Sequence, residues 1–376
     1  MVDRKKYKQS IIIAYHKNKD LLYYTLELLI KTIPNYVEVI IVANNVDSTE
    51  IDIKSDFSQV KIIKIQKNLL YSEAMNMGVE KANGEIITMF DQDVFCFEKW
   101  YDVLLDKLLS SPKIGAVSPK LINPTNDRII DFGIEYSPES ILHPMRGLKK
   151  DHPLSKINRK VTSACGAVMM TYKSLYKKVG GMDKTMPYIC CDCDYGIQLL
   201  KLGYETWVMG NICLYHKGSS SNKNTKNSEY SYLRGDSKAM FFAKDYSFLK
   251  FEMNHYISYA AQYYKKTHRI SKNYFIYNLS SLHDSDYFIN EIKKSLEIIY
   301  YDIYTINVGC RNAQLIQLYD YLPLSHLDIY EPYIYFVDSF TSLKNNAMWY
   351  KQRKNKDDII IDIHGNFISM KEINLL

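Results

Sequence analysis

The sequence lacks a hydrophobic run long enough to cross a membrane. None of its apolar stretches approaches the roughly 18–20 residues that a membrane-spanning helix needs. The N-terminus is charged (Met1-Val2-Asp3-Arg4-Lys5-Lys6), and the apolar run that follows it, 11–14, is too short for a secretory signal. We therefore expect a cytoplasmic protein, and a position at the inner face of the membrane is left open.

The sequence also lacks the cysteine spacing of a secreted, disulfide-bonded domain. Its 7 cysteines are odd in number and irregularly spaced, which favours a reduced compartment. The cluster Cys190-Cys191-Asp192-Cys193 has two interpretations, part of a zinc site or local packing. Zinc sites usually use two separated pairs of ligands, so the spacing favours packing.

A strong charge of either sign is absent as well. The 48 Lys and Arg against 42 Asp and Glu give a formal net charge of +6, whereas a dedicated duplex-DNA binder usually carries a more basic, clustered surface. We therefore expect no nucleic-acid partner. What the chain does have is a globular composition, with 47% hydrophobic and 24% charged residues, enough to form a proper core.

Length and patterning predict an α/β protein of two domains. The 376 residues are about 2.5 times an average domain of roughly 150 residues, and the character of the sequence changes near Lys250. We place the domains at 1–250 and 251–376. Apolar strands alternate with amphipathic helices in the first part, which predicts a mostly parallel sheet covered on both faces. The strands are predicted at 10–15, 37–43, 60–65 and 85–90, and the helices at 20–31, 72–81, 100–109 and 194–202.

The rest of the first domain is less regular. The sequence predicts a loop-rich segment from Pro119 to Arg159, a strand at 203–209 and a mobile polar loop at 219–228. In parallel sheets, ligands bind at the carboxyl ends of the strands. The polar residues that follow the first, second and fourth strands therefore mark one edge of the sheet as the candidate site.

Asp91-Gln92-Asp93 follows the fourth strand directly. Two carboxylates this close together are stabilised by a cation, and hard oxygen ligands select Mg²⁺ or Mn²⁺, which can in turn hold a diphosphate. Such triplets also occur on solvated turns without a metal. The position at a strand end favours the metal site.

The later motifs extend this pattern in a fixed order. They are Gly180-Gly181-Met182-Asp183, Asp192 at the start of a helix, Gly203-Tyr204 and His216, preceded by Asn68, Ala74, Asn76 and Gly78. Over residues 8–250 this series resembles the family 2 glycosyltransferases, which are inverting enzymes of the GT-A fold. The Asp-Gln-Asp form is most similar to the rhamnosyltransferase-like branch.

The resemblance implies a role for each matching residue. Asp192 is the general base, taking the proton of an acceptor hydroxyl that attacks the anomeric carbon in a single inverting displacement. Asp91, Asp93 and His216 are the metal site, holding Mn²⁺ or Mg²⁺. The donor, a nucleoside-diphosphate sugar, is contacted by Ala14, Tyr15, Asn44, Asn45, Asn68, Asn76, Asp91 and Gly166.

Two positions depart from the family pattern. Cys191 stands where the family usually has Glu, which removes an expected acceptor contact. Asn44-Asn45 stands where Asp-Asp is common, although an amide oxygen can still accept a hydrogen bond from a pyrimidine. The nucleobase, the sugar and the acceptor therefore stay open.

The resemblance leads to a glycosyltransferase of surface polysaccharide or glycan biosynthesis, with a carbohydrate or lipid-linked saccharide as acceptor. Two alternatives stay open: a nucleotidyltransferase acting on sugar phosphates, and a catalytically silent carbohydrate-binding protein. The nucleotidyltransferase usually has a glycine-rich loop after the first strand, where this chain has Tyr15-His16-Lys17-Asn18.

The role of 251–376 is uncertain. It is interpreted as an appended α/β or helical module for acceptor binding or homo-oligomer formation. A tyrosine-rich basic stretch, 256–269, is interpreted either as a peripheral membrane contact or as an ordinary packed helix. The segment 303–331 loosely resembles the cofactor loop of methyltransferases, a weaker alternative, and 357–365 is predicted as a strand and turn.

Overall fold

The structure is a computed structural model of the whole chain. It describes residues 8–44, 57–67, 69–97, 99–218, 228–305, 331–340, 343, 349, 352–353, 355–370 and 372–375. The predicted loop at 219–228 lies outside these described residues except for Ser228, which begins a helix, and most of the methyltransferase-like segment also lies outside them. No helix in the described ranges combines the length and the apolar character needed to cross a membrane.

The chain forms two compact units. The first comprises Met1–Ile134 and Arg146–Phe248, and the second comprises Glu135–Met145 and Leu249–Leu376. The contacts of the short segment Glu135–Met145 therefore assign it to the second unit, together with the later part of the chain. The predicted division into a catalytic domain and an accessory module stays a prediction.

The strands are β1 (Gln9–Tyr15), β2 (Glu38–Asn44), β3 (Val60–Ile65), β4 (Ile86–Asp91), β5 (Val94–Phe95), β6 (Ile114–Ile122), β7 (Ile129–Asp131), β8 (Glu135–Tyr136), β9 (Ile141–Leu142), β10 (Arg159–Val161), β11 (Val168–Tyr172), β12 (Glu205–His216), β13 (Asn273–Asn278), β14 (Tyr300–Thr305), β15 (Tyr333–Val337), β16 (Ile359–Asp362) and β17 (Phe367–Ser369). The helices are α1 (Lys19–Thr32), α2 (Tyr71–Lys81), α3 (Trp100–Leu109), α4 (Lys173–Lys178), α5 (Cys191–Lys201), α6 (Ser228–Asp245), α7 (Asn254–Lys265) and α8 (Ser285–Leu296).

The first unit is built on a mixed, mostly parallel sheet in the order β10-β12-β6-β11-β4-β1-β2-β3, with β5 paired to β12 and β7 to β6. Strands β4, β1, β2 and β3 are parallel. Strand β11 runs antiparallel to both β4 and β6, and β12 is parallel to β6. The carboxyl ends of β1, β2, β4, β6 and β12 therefore lie at one edge of the sheet.

The apolar strands predicted from the sequence are the buried core of this unit. Ile11, Ile41 and Phe90 are fully buried, and Trp100 of α3 packs against Phe90 with ring centroids 5.5 Å apart. Helix α2 lies close to the sheet at Gly78, where an added Cβ would come within 2.3 Å of the Ile12 side chain. Glycine is therefore required at this helix–strand contact.

The loop-rich prediction from Pro119 is wrong at its start, because β6 continues through Pro119 to Ile122. Proline cannot donate a hydrogen bond to a neighbouring strand, which makes it a poor residue for a strand interior. The neighbouring strand β12 accommodates it, because the register between the two strands shifts between Met209 and Cys213, next to the partner of Pro119.

The second unit contains a smaller sheet in the order β14-β13-β15-β16-β17, in which every pair except β16 with β17 is parallel. It is an α/β unit, because this mostly parallel sheet occurs together with helices α7 and α8, which pack against each other. The predicted strand at 357–365 is present as β16. In α7, Tyr256 and Tyr264 are buried whereas Tyr259 is 38% exposed, which fits a packed helix with one solvated face.

Candidate functional site

The Asp91-Gln92-Asp93 turn is held to the end of β1 by its central glutamine. The Gln92 side chain accepts a hydrogen bond from the backbone N–H of His16 (3.3 Å) and donates one to the carbonyl of Lys17 (2.8 Å). The Thr25 hydroxyl donates to the Gln92 carbonyl at 2.7 Å. Gln92 therefore has a structural role that leaves the flanking carboxylates to face the edge of the sheet.

His216 is brought to this turn by a short antiparallel ribbon. Strand β12 ends at His216, which pairs with Val94 of β5, immediately after Asp93. The His216 Nε2 lies 3.2 Å from the Asp93 Oδ1 and 3.6 Å from the Asp91 Oδ2. The strand predicted at 203–209 is thus longer than expected, and its extension places the histidine beside both carboxylates.

The three side chains perturb each other's protonation. Burial is the largest cause that raises the pKa of Asp91, to about 6; the His216 charge opposes the rise and the Asp93 charge adds to it. Burial favours the neutral form of His216, but the hydrogen bond and the charge of Asp93, with the charge of Asp91, raise its pKa overall. The cluster therefore concentrates negative charge that a proton on His216 balances only in part.

The donor set of this cluster fits a divalent cation. One ligand atom each from Asp91, Asp93 and His216 lies within 4.8 Å of the other two. The His216 Nε2 lies 3.2 Å and 3.6 Å from the two carboxylate oxygens, so one ion would be within reach of all three side chains. Two carboxylates and one imidazole suit Mn²⁺, and Mg²⁺ through the oxygens. Among the described residues this is the one His/Cys/Asp/Glu group that could hold a metal, so Cys190, Cys191 and Cys193 are buried thiols without such a group.

Asp192 occupies the first turn of α5, which begins earlier than the predicted 194. Cys190 adopts a left-handed conformation (φ 67°) that starts the helix at Cys191. The Asp192 carboxylate accepts hydrogen bonds from the backbone N–H groups of Gly166 (2.8 Å) and Cys193 (2.9 Å). Burial raises the pKa of Asp192 even though these bonds lower it. The carboxylate is therefore fixed in orientation and more basic than an exposed one.

Gly166 and Ala167 connect Asp192 with the aspartate turn. The Asp91 backbone N–H donates to the Ala167 carbonyl at 2.8 Å, while the neighbouring Gly166 N–H donates to Asp192. A Cβ on Gly166 would lie 3.2 Å from the Asp192 Cβ, so a side chain here would crowd the carboxylate. Two consecutive residues thus hold the metal-ligand candidates and the base candidate at the same edge.

Sequence reasoning missed Tyr71, the first residue of α2. Its hydroxyl donates to the Gly166 carbonyl at 3.2 Å and lies near Asp91, whose pKa it lowers by hydrogen bonding. Burial, together with the charges of Asp91 and Asp192, raises the pKa of Tyr71. Its position beside the motif residues Asn68 and Asn76 was the available signal, but a tyrosine at a helix start by itself indicates nothing.

Part of the chain matches a known protein family. Residues 10–180 match the family "Glycosyl transferase family 2". Residues 10–180 form a family 2 glycosyltransferase domain. The family and the mostly parallel sheet confirm the predicted fold class.

Individual relatives of the family 2 domain are distant. The chain is 25% identical over 228 residues to polypeptide N-acetylgalactosaminyltransferase 5 of Caenorhabditis elegans, covering 54% of this chain and 34% of that protein. It is 23% identical over 228 residues to the O-antigen biosynthesis protein RfbC of Myxococcus xanthus, covering 57% of this chain and 18% of that protein. The chain thus spans about a third of the length of the first of these.

A solved structure, GalNAc-T7 with UDP, GalNAc and Mn²⁺, aligns with a TM-score of 0.47 and 14% identity, covering 56% of this chain and 44% of that one.

Among the described residues predicted to contact the donor, Ala14, Tyr15, Asn44 and Asp91 lie at the carboxyl ends of β1, β2 and β4, but several of these side chains make internal contacts. The Asn44 amide hydrogen-bonds both backbone groups of Leu69. The Asn76 amide binds the backbone of Met182 and accepts from the Tyr176 hydroxyl. The Tyr15 ring is fully buried, while Ala14 pairs with Asp91 in the sheet. Donor contact by these residues stays a prediction, and Asn45 and Asn68 lie outside the described residues.

The Gly180-Gly181-Met182-Asp183 turn, at the end of the matched residues, is tied to α5 by a lysine of α6. Gly181 has φ +77° and leaves no room for a Cβ beside the Asn76 amide. Lys244 forms ion pairs with Asp183 (2.7 Å) and Asp194 (2.8 Å). This pairing fixes the helix that carries Asp192.

Proposed function

We propose that the protein is a metal-dependent, inverting glycosyltransferase that moves a sugar from a nucleoside-diphosphate sugar to a hydroxyl acceptor. One observation carries the proposal. The Asp91–Asp93–His216 cluster and the Asp192 carboxylate are both hydrogen-bonded, directly or through their backbone, to the adjacent residues Gly166 and Ala167. A cation-binding group and a fixed carboxylate base at one edge are the two parts that such a transfer requires.

Asp192 acts as the general base. Its backbone hydrogen bonds keep one orientation, and the elevated pKa strengthens its ability to accept a proton. It takes the proton of the acceptor hydroxyl as the oxygen attacks the anomeric carbon. A base placed in this way contributes about 10²–10⁴-fold to the rate.

Asp91, Asp93 and His216 hold the divalent cation. When bound, Mn²⁺ or Mg²⁺ offsets the negative charge that develops on the departing diphosphate. The residues themselves supply two carboxylate oxygens and the imidazole Nε2. Gln92 keeps the two aspartates facing this position through its bonds to His16 and Lys17.

We further propose a role in surface polysaccharide or glycan biosynthesis, with a carbohydrate or lipid-linked saccharide as the acceptor. The O-antigen biosynthesis relative supports this assignment. The cytoplasmic location, the peripheral membrane contact and the homo-oligomer expected from the sequence belong to the same proposal. The resemblance to the rhamnosyltransferase-like branch favours a deoxyhexose as the transferred sugar.

Asp192→Asn tests the assignment of the base. An amide still accepts a backbone hydrogen bond but cannot take the proton, so transfer should fall about 10²–10⁴-fold while donor binding persists. Thermal shift with a panel of nucleoside-diphosphate sugars and Mn²⁺ first identifies the donor, which should stabilise the fold by about 2.7 kcal/mol at 100 times its dissociation constant. Asp20→Asn, on α1, is the matched control. Normal turnover by the Asp192 variant would exclude this role.

A second candidate, a carbohydrate-binding protein without turnover, is favoured by Cys191. Its thiol is buried, and burial raises its pKa, so it does not replace the acceptor contact of a glutamate. Donor hydrolysis with Mn²⁺ separates the candidates. Release of sugar and nucleoside diphosphate supports the transferase, and donor binding without products supports the silent protein. A nucleotidyltransferase is tested in a separate reaction, in which a sugar phosphate and a nucleoside triphosphate would give the nucleotide sugar and pyrophosphate.

A further inference from the structure

A groove of about 550 Å³ lies beside the β5–β12 ribbon, on the face opposite to His216. Phe95 and Tyr215 pair directly across the ribbon and share one face, whereas Val94 and His216 form the next pair. Successive side chains of a strand point to opposite faces. The groove is therefore separate from the metal-ligand cluster, although the same two strands carry both. Its lining residues are Tyr24, Phe95, Phe97, Pro124, Asp127 and Tyr215.

Four aromatic rings form the walls of this groove. Tyr24 and Phe95 meet edge to face with centroids 5.1 Å apart, and Phe97 meets Tyr215 in the same way at 5.8 Å. Phe97 is 57% exposed and Tyr24 is 47% exposed. Large aromatic side chains gain most of their stabilising energy from burial, so the folded chain gains little from exposing these two rings. Their exposure in a concave surface indicates a ligand.

The rim of the groove is polar but carries no excess of charge. Lys150 donates to the Tyr215 hydroxyl at 2.7 Å and forms an ion pair with Asp127 at 3.1 Å. The Asp127 side chain remains 54% exposed, and its pKa is lowered by the hydrogen bond from Lys150. The rim therefore offers the Lys150 ammonium as a hydrogen-bond donor, the Asp127 carboxylate as an acceptor and the Tyr215 phenol. The charges of Lys150 and Asp127 cancel each other.

This combination selects the chemistry of the ligand. Nucleic acids and phosphorylated ligands require an excess of positive charge, which the paired Asp127 cancels. A purely apolar ligand would take the 54% exposed Asp127 side chain out of water and offer it no hydrogen bond in return. A neutral sugar matches both parts, because one face of a pyranose presents C–H groups that stack on aromatic rings and its hydroxyls both donate and accept hydrogen bonds.

We propose that this groove binds a neutral oligosaccharide, the part of the acceptor glycan that lies away from the reacting hydroxyl. The assignment of this glycan as the acceptor rests on the proposed function, but the binding itself does not. Phe95 lies two residues after Asp93, and Tyr215 directly precedes His216. Because the same two strands carry the groove and the metal-ligand candidates, we expect a bound glycan to change the acceptor KM and to leave the chemical step to Asp192.

Glycan binding by the full chain tests the proposal without donor or metal. The protein, in EDTA, is applied to an array of defined neutral oligosaccharides, and hits are quantified by calorimetry. Phe97→Ala and Tyr24→Ala should each weaken binding at least about tenfold, since each removes one stacking surface. Phe97→Trp should retain it. Tyr36→Ala, which removes a 42% exposed tyrosine elsewhere in the same unit, is the matched control and should bind normally.

Three results would overturn the proposal: no oligosaccharide binds, binding survives in both alanine variants, or a peptide from a display library occupies the groove in a Phe97-dependent manner while no glycan does. Thermal shift by a nucleoside-diphosphate sugar with Mn²⁺ is measured in parallel on Phe97→Ala. A retained thermal shift shows that the variant still binds the donor. The test of glycan binding in the groove is thereby separate from the test of the proposed glycosyltransferase function.

Discussion

Asp91 in the first unit and Asp358 in the second have the same pKa, about 6, and in both burial is the largest cause. Their surroundings differ. Asp358 is fully buried and forms a 2.8 Å ion pair with Arg353, while the Tyr333 backbone donates to its second oxygen at 2.8 Å. Asp91 is 27% exposed at the edge of a sheet, beside a second carboxylate and a histidine.

The neighbours of the two aspartates distinguish a structural carboxylate from a ligand-binding carboxylate, whereas their pKa values do not. Asp358 has a cation supplied by the chain itself, with Arg353 also stacked 3.8 Å over the Tyr333 ring. Asp91 and Asp93 share one histidine, so their excess of negative charge is available to an external cation. Removing a partner should therefore cost folding stability in the second unit and function in the first.

The largest expected effect is that of Arg353→Leu. It leaves the Asp358 carboxylate buried without its cation, which destabilises a fold by about 3–5 kcal/mol. Urea unfolding of the whole chain, followed by pulsed hydrogen exchange in peptides of β15 and β16, measures the change in the second unit. The double variant Arg353→Leu, Asp358→Asn should recover part of the loss, because it removes the unpaired charge and keeps an acceptor for Tyr333. A change below about 1 kcal/mol would show that this pair behaves as a surface pair.

Asp93→Ala should show the opposite pattern. Loss of a ligand should weaken Mn²⁺ binding at least about 100-fold, since even residues that only orient metal ligands cost 10–100-fold. The free energy of unfolding without metal should change less than in Arg353→Leu. Removing one of two neighbouring negative charges relieves their repulsion and leaves no buried charge unpaired. Calorimetric Mn²⁺ titration and the donor-hydrolysis assay measure the effect.

Glu27→Ala, an exposed carboxylate on α1, is the control for the loss of one charge. An unchanged Mn²⁺ titration of the Asp93 variant would remove this residue from the ligand set.

The sequence predicted the sheet of the first unit well, because its strands are uniform apolar runs. Strand β3 starts and ends where the pattern placed it, and β1, β2 and β4 differ by a residue or so. Prediction failed where tertiary contacts overrule local propensity. Proline at 119 suggested a loop, but the shifted register of β12 accommodates it within β6.

The candidate site was predictable only as a set of motifs. Strand ends and the family resemblance indicated Asp91, Asp93, Asp192 and His216, and the structure brings the two aspartates and the histidine together. The Gly166 bonds that orient Asp192 join residues 26 positions apart, and Tyr71 reaches Gly166 across 95 positions. No local pattern carries such contacts. The internal bonds of Asn44 and Asn76 depend in the same way on partners that only the folded chain supplies.

Asp362 is expected to give the smallest change in stability between neighbouring pH values, and it tests whether a second-unit carboxylate acts on stability alone. Burial raises its pKa to about 7, although Asn366 and the His364 N–H lower it. The folded state therefore binds more protons than the unfolded state between about pH 4 and pH 7, so stability falls as the pH rises through this window, by at most about 1.4 kcal/mol per pH unit. Asp362→Asn should flatten this slope, measured by urea unfolding and pulsed exchange at β16, whereas Asp286→Asn, the control on α8, should not. An identical slope in the Asp362 variant would mean that this carboxylate is already ionised at pH 4, and the second unit would then hold a buried charge that its neighbouring N–H groups alone stabilise.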